Sequence, residues 1–84
     1  MFQLVARAPE GRLLFRTQVE ARVLWTCITE RFPEALTLIL MPNHLHLDTP
    51  HPDPDDRLAD AMRAYARWRN HHRHESGEVW DVHP

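Results

Sequence analysis

The sequence predicts an α+β fold in which helices pack on an antiparallel sheet. Three observations carry this expectation: period-2 alternation at the start of the chain, two stretches with apolar residues at helical spacing, and two β-rich segments joined by Pro42 and Asn43. With 84 residues, 43% of them hydrophobic and 26% charged, the chain has the make-up of one small globular domain. A domain of this size buries about 60 to 65% of the surface exposed by its unfolded chain, so its stability is expected to be marginal.

Phe2, Leu4 and Ala6 alternate with Gln3, Val5 and Arg7, which predicts a half-buried strand over residues 2–8. A turn at Pro9, Glu10 and Gly11 leads to a short extended piece, residues 12–15. Thr17 followed three positions later by Glu20 has the form of a capping box and opens a helix over residues 17–32. Val19, Val23, Cys27, Ile28 and Phe32 make its apolar face, and Pro33 ends it. Residues 35–41 are rich in aliphatics and read as a central strand, with residues 44–48 returning antiparallel to it. Pro50, Pro52 and Pro54 stiffen the next connection, and its aspartates favour the N-terminus of a helix over residues 55–72. That helix would bury Leu58, Ala61, Met62, Tyr65 and Trp68 and stop before Gly77; residues 78–82 read as a last short strand.

The longest apolar stretch, residues 36–41, is too short to span a bilayer, and the first seven residues lack the basic start and apolar run of a signal peptide. Together with a single cysteine, Cys27, which reads as core, this favours a cytoplasmic protein without a membrane partner. The net charge of −2 conceals an uneven distribution: all ten basic residues are arginine, and five of them fall between Arg57 and Arg73. Arg7, Arg63, Arg67, Arg69 and Arg73 are therefore candidate phosphate contacts for nucleic acid, since a planar guanidinium grips phosphate bidentately; a solvated helix face is the alternative for the cluster.

His44 and His46 are one residue apart on a strand, so both imidazoles project from one face while Leu45 points into the core. Two neutral imidazoles side by side suit a divalent cation. Asp48 continues the same face and is the candidate third ligand, with a plain strand-end carboxylate as the alternative; His51 follows close behind. His71, His72 and His74 read as exposed or phosphate-facing rather than as a second metal cluster, and Trp80 either packs in the core or stacks on a base. A purely structural zinc site would need four closed ligands in a chain with scarce cysteine.

The segment Leu38-Ile-Leu-Met-Pro-Asn-His-Leu-His-Leu47 resembles the HUH signature of the REP-associated tyrosine transposases and their single-tyrosine insertion-sequence relatives, with Met41 to Leu47 fitting the pattern at every position. Phe2 to Arg7 resembles that family's opening strand, and Tyr65-Ala-Arg-Trp-Arg-Asn70 with Gly77-Glu-Val-Trp80 resembles its second helix and the strand after it. The resemblance implies a ferredoxin-like HUH fold and a bacterial transposase domain that nicks and rejoins single-stranded or hairpin DNA. It also implies Mg²⁺ or Mn²⁺ held by His44 and His46 on the scissile phosphate, and a tyrosine that attacks and becomes linked to the DNA 5′ phosphate.

In these relatives the attacking tyrosine lies on a later helix, so this chain is expected to be a C-terminally truncated form. Its only tyrosine, Tyr65, matches a structural position and not the nucleophile. Gln3 stands where the family often has histidine. Sheet or helix surface left uncovered by the missing helix makes a homodimer an expected partner beside DNA. A non-catalytic DNA-binding module derived from such a transposase is the alternative expectation.

Overall fold

The structure, a computed structural model, describes residues 1–81. Three strands, β1 (Phe2–Arg7), β2 (Thr37–Met41) and β3 (His44–Thr49), and two helices, α1 (Gln18–Arg31) and α2 (Pro54–Arg73), follow in the order β1-α1-β2-β3-α2. The predicted α+β class is the one observed. All strand pairs are antiparallel and the sheet order is β1-β3-β2, so the central strand is the histidine strand β3. The expectation that residues 35–41 form the central strand is therefore corrected. β1 reaches across to pair with β3, leaving β2 at an edge; its Ile39 and Met41 are exposed on the face away from the helices.

Element ends follow local hydrogen bonding. Thr17 caps α1 by accepting the Glu20 backbone N–H at 3.1 Å, and Phe32 is its C-cap. β2 starts later than predicted because the Ala35 N–H turns back to the Phe32 carbonyl, and pairing begins only with the Leu36 N–H to the Asp48 carbonyl. Pro54 sits in the first turn of α2, where its missing N–H costs nothing. α2 ends at Arg73, within a residue of the predicted end: the C-cap His74 adopts the left-handed conformation, φ 55°, and its N–H reaches the Asn70 and His71 carbonyls. The predicted strand over residues 78–82 lies partly outside the described residues. Glu78 to Asp81 form a turning segment instead of a ladder, tied to the sheet by the Asp81 N–H on the Arg7 carbonyl at 2.8 Å.

One face of the sheet carries the core. Ala6, Leu45, Leu47 and Thr49 are buried there with Leu24, Ile28, Phe32, Leu58, Ala61 and Tyr65 from the two helices, so both helices cover the same face. The buried stripe of α1 is rotated from the predicted one. It runs through Glu20, Leu24 and Ile28, while Val19 is exposed. The rotation is possible because Glu20 is neutralised inside by Arg73 of α2. Trp80 closes the core from below, its indole N–H donating to the Met62 carbonyl at 2.9 Å, which decides for packing over base stacking. Among the described residues no helix is long and apolar enough to cross a membrane.

Candidate functional site

Residues two apart on a strand share a face, and the observed register assembles three such sets side by side. Arg7 and Met41 flank His44, Val5 and Ile39 flank His46, and Gln3 and Thr37 flank Asp48. This is the sheet face opposite the helices. Val5 and Ile39 are each 48% exposed, so nothing among the described residues covers it. Beneath it, Leu45 and Leu47, interleaved with the histidines, are fully buried in the core.

The turn at Pro42 and Asn43 fixes the start of β3. The Pro42 carbonyl accepts the Leu14 N–H at 2.6 Å and the Asn43 carbonyl accepts the Ala8 N–H at 2.9 Å, so the hairpin tip is held by the β1–α1 connection. His44 and His46 meet edge to face with ring centroids 5.0 Å apart. His44 Nδ1 and Asn43 Oδ1 lie 2.6 Å apart, and with that amide oxygen as acceptor the proton sits on Nδ1. In the neutral ring this leaves the Nε2 lone pair for a ligand, the arrangement that orienting partners impose on metal-binding histidines. Two imidazoles side by side are the donors a divalent cation would use here.

Asp48 continues the same face further along β3. It lies four residues from His44, about 13 Å along an extended strand, and is a neighbour of His46 alone. Among the described residues no group of three His, Cys, Asp or Glu side chains converges as a metal site. His51 is turned elsewhere, its ring edge-on to Phe32 and its Nδ1 accepting the Asp53 N–H at 3.0 Å. His72 stacks on Trp68 with centroids 4.6 Å apart, and His71 and His74 are exposed.

The five candidate arginines separate. Arg7 is exposed beside His44. Arg63 and Arg67 are exposed on α2, on the helical side of the sheet and away from the histidine face; Arg63 lies 3.8 Å from Asp60. Arg69 and Arg73 lie largely inside the fold and not on an exposed arginine face. Arg69 is only 4% exposed and donates to the Leu13 and Leu14 carbonyls at 2.7 and 3.0 Å. Arg73 is bound at two points to Glu20.

Tyr65 is fully buried in the core on the helical side, and its hydroxyl donates to the Leu14 carbonyl at 2.6 Å. Burial pushes its pKa far above the ordinary value for tyrosine. Its place on the buried face of α2 is the one its spacing with Met62 and Trp68 predicts. The sequence reading missed Val5, Thr37, Ile39 and Met41 as parts of the histidine face. The two-residue turn at Pro42 and Asn43 was the available signal, because it pairs Met41 with His44 and so sets the register of β2. Compared with known proteins, the chain matches no family model, no curated protein and no solved structure.

Proposed function

We propose that this chain acts in DNA transposition as the DNA-handling domain of a single-tyrosine HUH transposase in a bacterial cytoplasm. In this reading His44 and His46 hold Mg²⁺ or Mn²⁺, and single-stranded or hairpin DNA lies across the open sheet face. The observation that supports it best is the pair of imidazoles on one uncovered face, with His44 Nε2 left free by the Asn43 contact. A divalent cation there supplies Lewis-acid polarisation of the scissile phosphate in nicking and rejoining. The protein's own residues do the rest. Asn43 fixes the His44 ring, Arg7 offers a guanidinium to a neighbouring phosphate, and Val5, Ile39 and Met41 offer apolar surface to bases.

The attack itself needs a hydroxyl other than Tyr65, which is engaged on the far side of the sheet. That burial favours a second reading, a non-catalytic DNA-binding module derived from such a transposase. β1 and β2 are the edge strands among the described residues, and a second copy pairing there would give the homodimer.

A labelled hairpin oligonucleotide with Mn²⁺ tests both readings. Binding that weakens when His44 and His46 are both replaced by alanine supports the metal-centred site, and unchanged Mn²⁺ affinity in that variant defeats it. A covalent protein–DNA adduct supports the enzyme, whereas binding without adduct leaves the module. Absence of binding at low salt overturns both. Sedimentation as a monomer removes the homodimer from the reading.

A further inference from the structure

The loop between β1 and α1 and the C-terminal end of α2 enclose an open cleft of about 480 Å³, lined by Gly11, Arg12, Leu13, Arg16, Arg69 and Glu75. Three arginines and one glutamate line it, so its lining residues carry net positive charge. The histidine face does not contribute to it.

Arg69 is the unusual member. It is 4% exposed, yet it takes part in none of the ion pairs Arg31–Asp60, Arg57–Glu34, Arg63–Asp60 and Arg73–Glu20. Its Nη1 donates to two carbonyls, while its Nε is buried with no hydrogen-bond partner. The nearby carboxylate of Glu20 is already occupied by Arg73. A buried cation whose hydrogen-bonding capacity is not filled is costly, and burial here works against its charge. An anion in the cleft would supply the missing counter-charge.

We propose that this cleft binds a phosphoryl group, with Arg12 and Arg16 closing on it from the loop and Arg69 from the helix. A carboxylate is satisfied by one guanidinium fork, whereas a phosphomonoester carries about −1.5 to −2 charges at neutral pH and three strong acceptor oxygens, which matches three arginines. Arg69 is held in place by the Leu13 and Leu14 carbonyls, so that side of the site is preorganised. The proposal stands apart from the metal and DNA reading of the sheet.

The test is a titration of the isotope-labelled intact chain with inorganic phosphate, read from backbone amide signals. Saturable shifts confined to residues 11–16 and 69–75 are expected. Arg12→Ser and Arg16→Ser alter exposed loop side chains outside the core, and each should weaken phosphate binding by at least about tenfold. Replacing His44 and His46 by alanine should leave phosphate affinity unchanged, which separates this site from the sheet face. A 5′-phosphorylated oligothymidylate that competes more tightly than inorganic phosphate assigns the ligand to a strand end; equal or weaker competition assigns it to a free phosphate. No saturable shift in those residues, or full affinity in the Arg12→Ser, Arg16→Ser double variant, overturns the proposal.

Discussion

Arg73 and Glu20, 53 positions apart, join α2 to α1 through two parallel hydrogen bonds, Nε to Oε2 at 2.5 Å and Nη2 to Oε1 at 2.6 Å, with both side chains less than a tenth exposed. The same carboxylate also accepts the Arg16 N–H at 2.8 Å, so one buried acid ties together both helices and the loop before α1. Breaking such a pair from one side leaves an uncompensated buried charge. Arg73→Ala is therefore expected to destabilise the fold by about 3 kcal/mol or more, and Arg73→Met with Glu20→Leu by much less. The Arg73 guanidinium holds the Glu20 pKa at about 2, below its ordinary 4.5. A depressed carboxyl pKa gives stability that is present above pH 4.5 and is lost as pH falls from there toward 2. Thermal melts across that range should show this loss in the parent and a flatter profile in Glu20→Gln.

Tyr65 is the only tyrosine, so its ionisation can be followed by absorbance without interference. Burial raises its pKa from the ordinary 10.0, and the sign is that of a group kept neutral by folding. Stability is full below pH 10 and declines as pH rises beyond it, because only the unfolded chain ionises there. The expected spectrum shows no phenolate band at the pH where free tyrosine ionises, followed by its appearance together with unfolding. Tyr65→Phe should cost about 1 kcal/mol, since the Leu14 carbonyl keeps its bond from Arg69, and should leave Mn²⁺ and DNA binding unchanged. A phenolate band in the folded protein near pH 10 would show that the hydroxyl is open to solvent.

The alternation of His44 and His46 with Leu45 and Leu47 was legible because a strand's side-chain period is two, and it put both imidazoles on the exposed face without knowledge of any neighbour. Strand order was not legible. The aliphatic run before Pro42 looks buried on both sides, but Ile39 and Met41 face outward because the helices cover only one side. Local pattern also misread α1, where Val19 seemed a better inward residue than Glu20. A charged residue enters a buried stripe only when a partner neutralises it, and that partner lies on another helix. The same blindness made Arg69 and Arg73 look like surface arginines: an arginine-rich stretch reads alike whether its side chains meet solvent or carbonyls and a carboxylate. Arg12 and Arg16 lie in a loop without periodicity, so only the folded chain brings them to Arg69.

Interleaved side chains on β3 should divide cleanly between stability and binding. Leu47 is fully buried, and Leu47→Ala is expected to cost about 2 to 5 kcal/mol from lost transfer energy and the cavity left behind. His46→Ala, on the exposed face one residue away, should change stability by no more than about 0.5 kcal/mol. Its effect should fall on Mn²⁺ affinity. Denaturant unfolding and metal titration of the two variants check the division, and a large stability loss in His46→Ala would make the histidine a structural group.

Arg7 and Arg63 provide a final contrast, because both are exposed arginines but only Arg7 borders His44. If single-stranded DNA runs over the histidine face, Arg7→Ala removes one phosphate contact. The slope of log affinity against log salt should then become shallower by about 0.7, with a loss of affinity that does not depend on base sequence. Arg63→Ala should leave the slope unchanged, since Arg63 projects from α2 on the other side of the sheet and neighbours Asp60. Fluorescence anisotropy with a labelled oligonucleotide at several salt concentrations measures both slopes. Equal changes in the two variants would mean that attraction to the DNA comes from diffuse charge over the whole surface, and a change in Arg63→Ala alone would move the DNA path to the helical side.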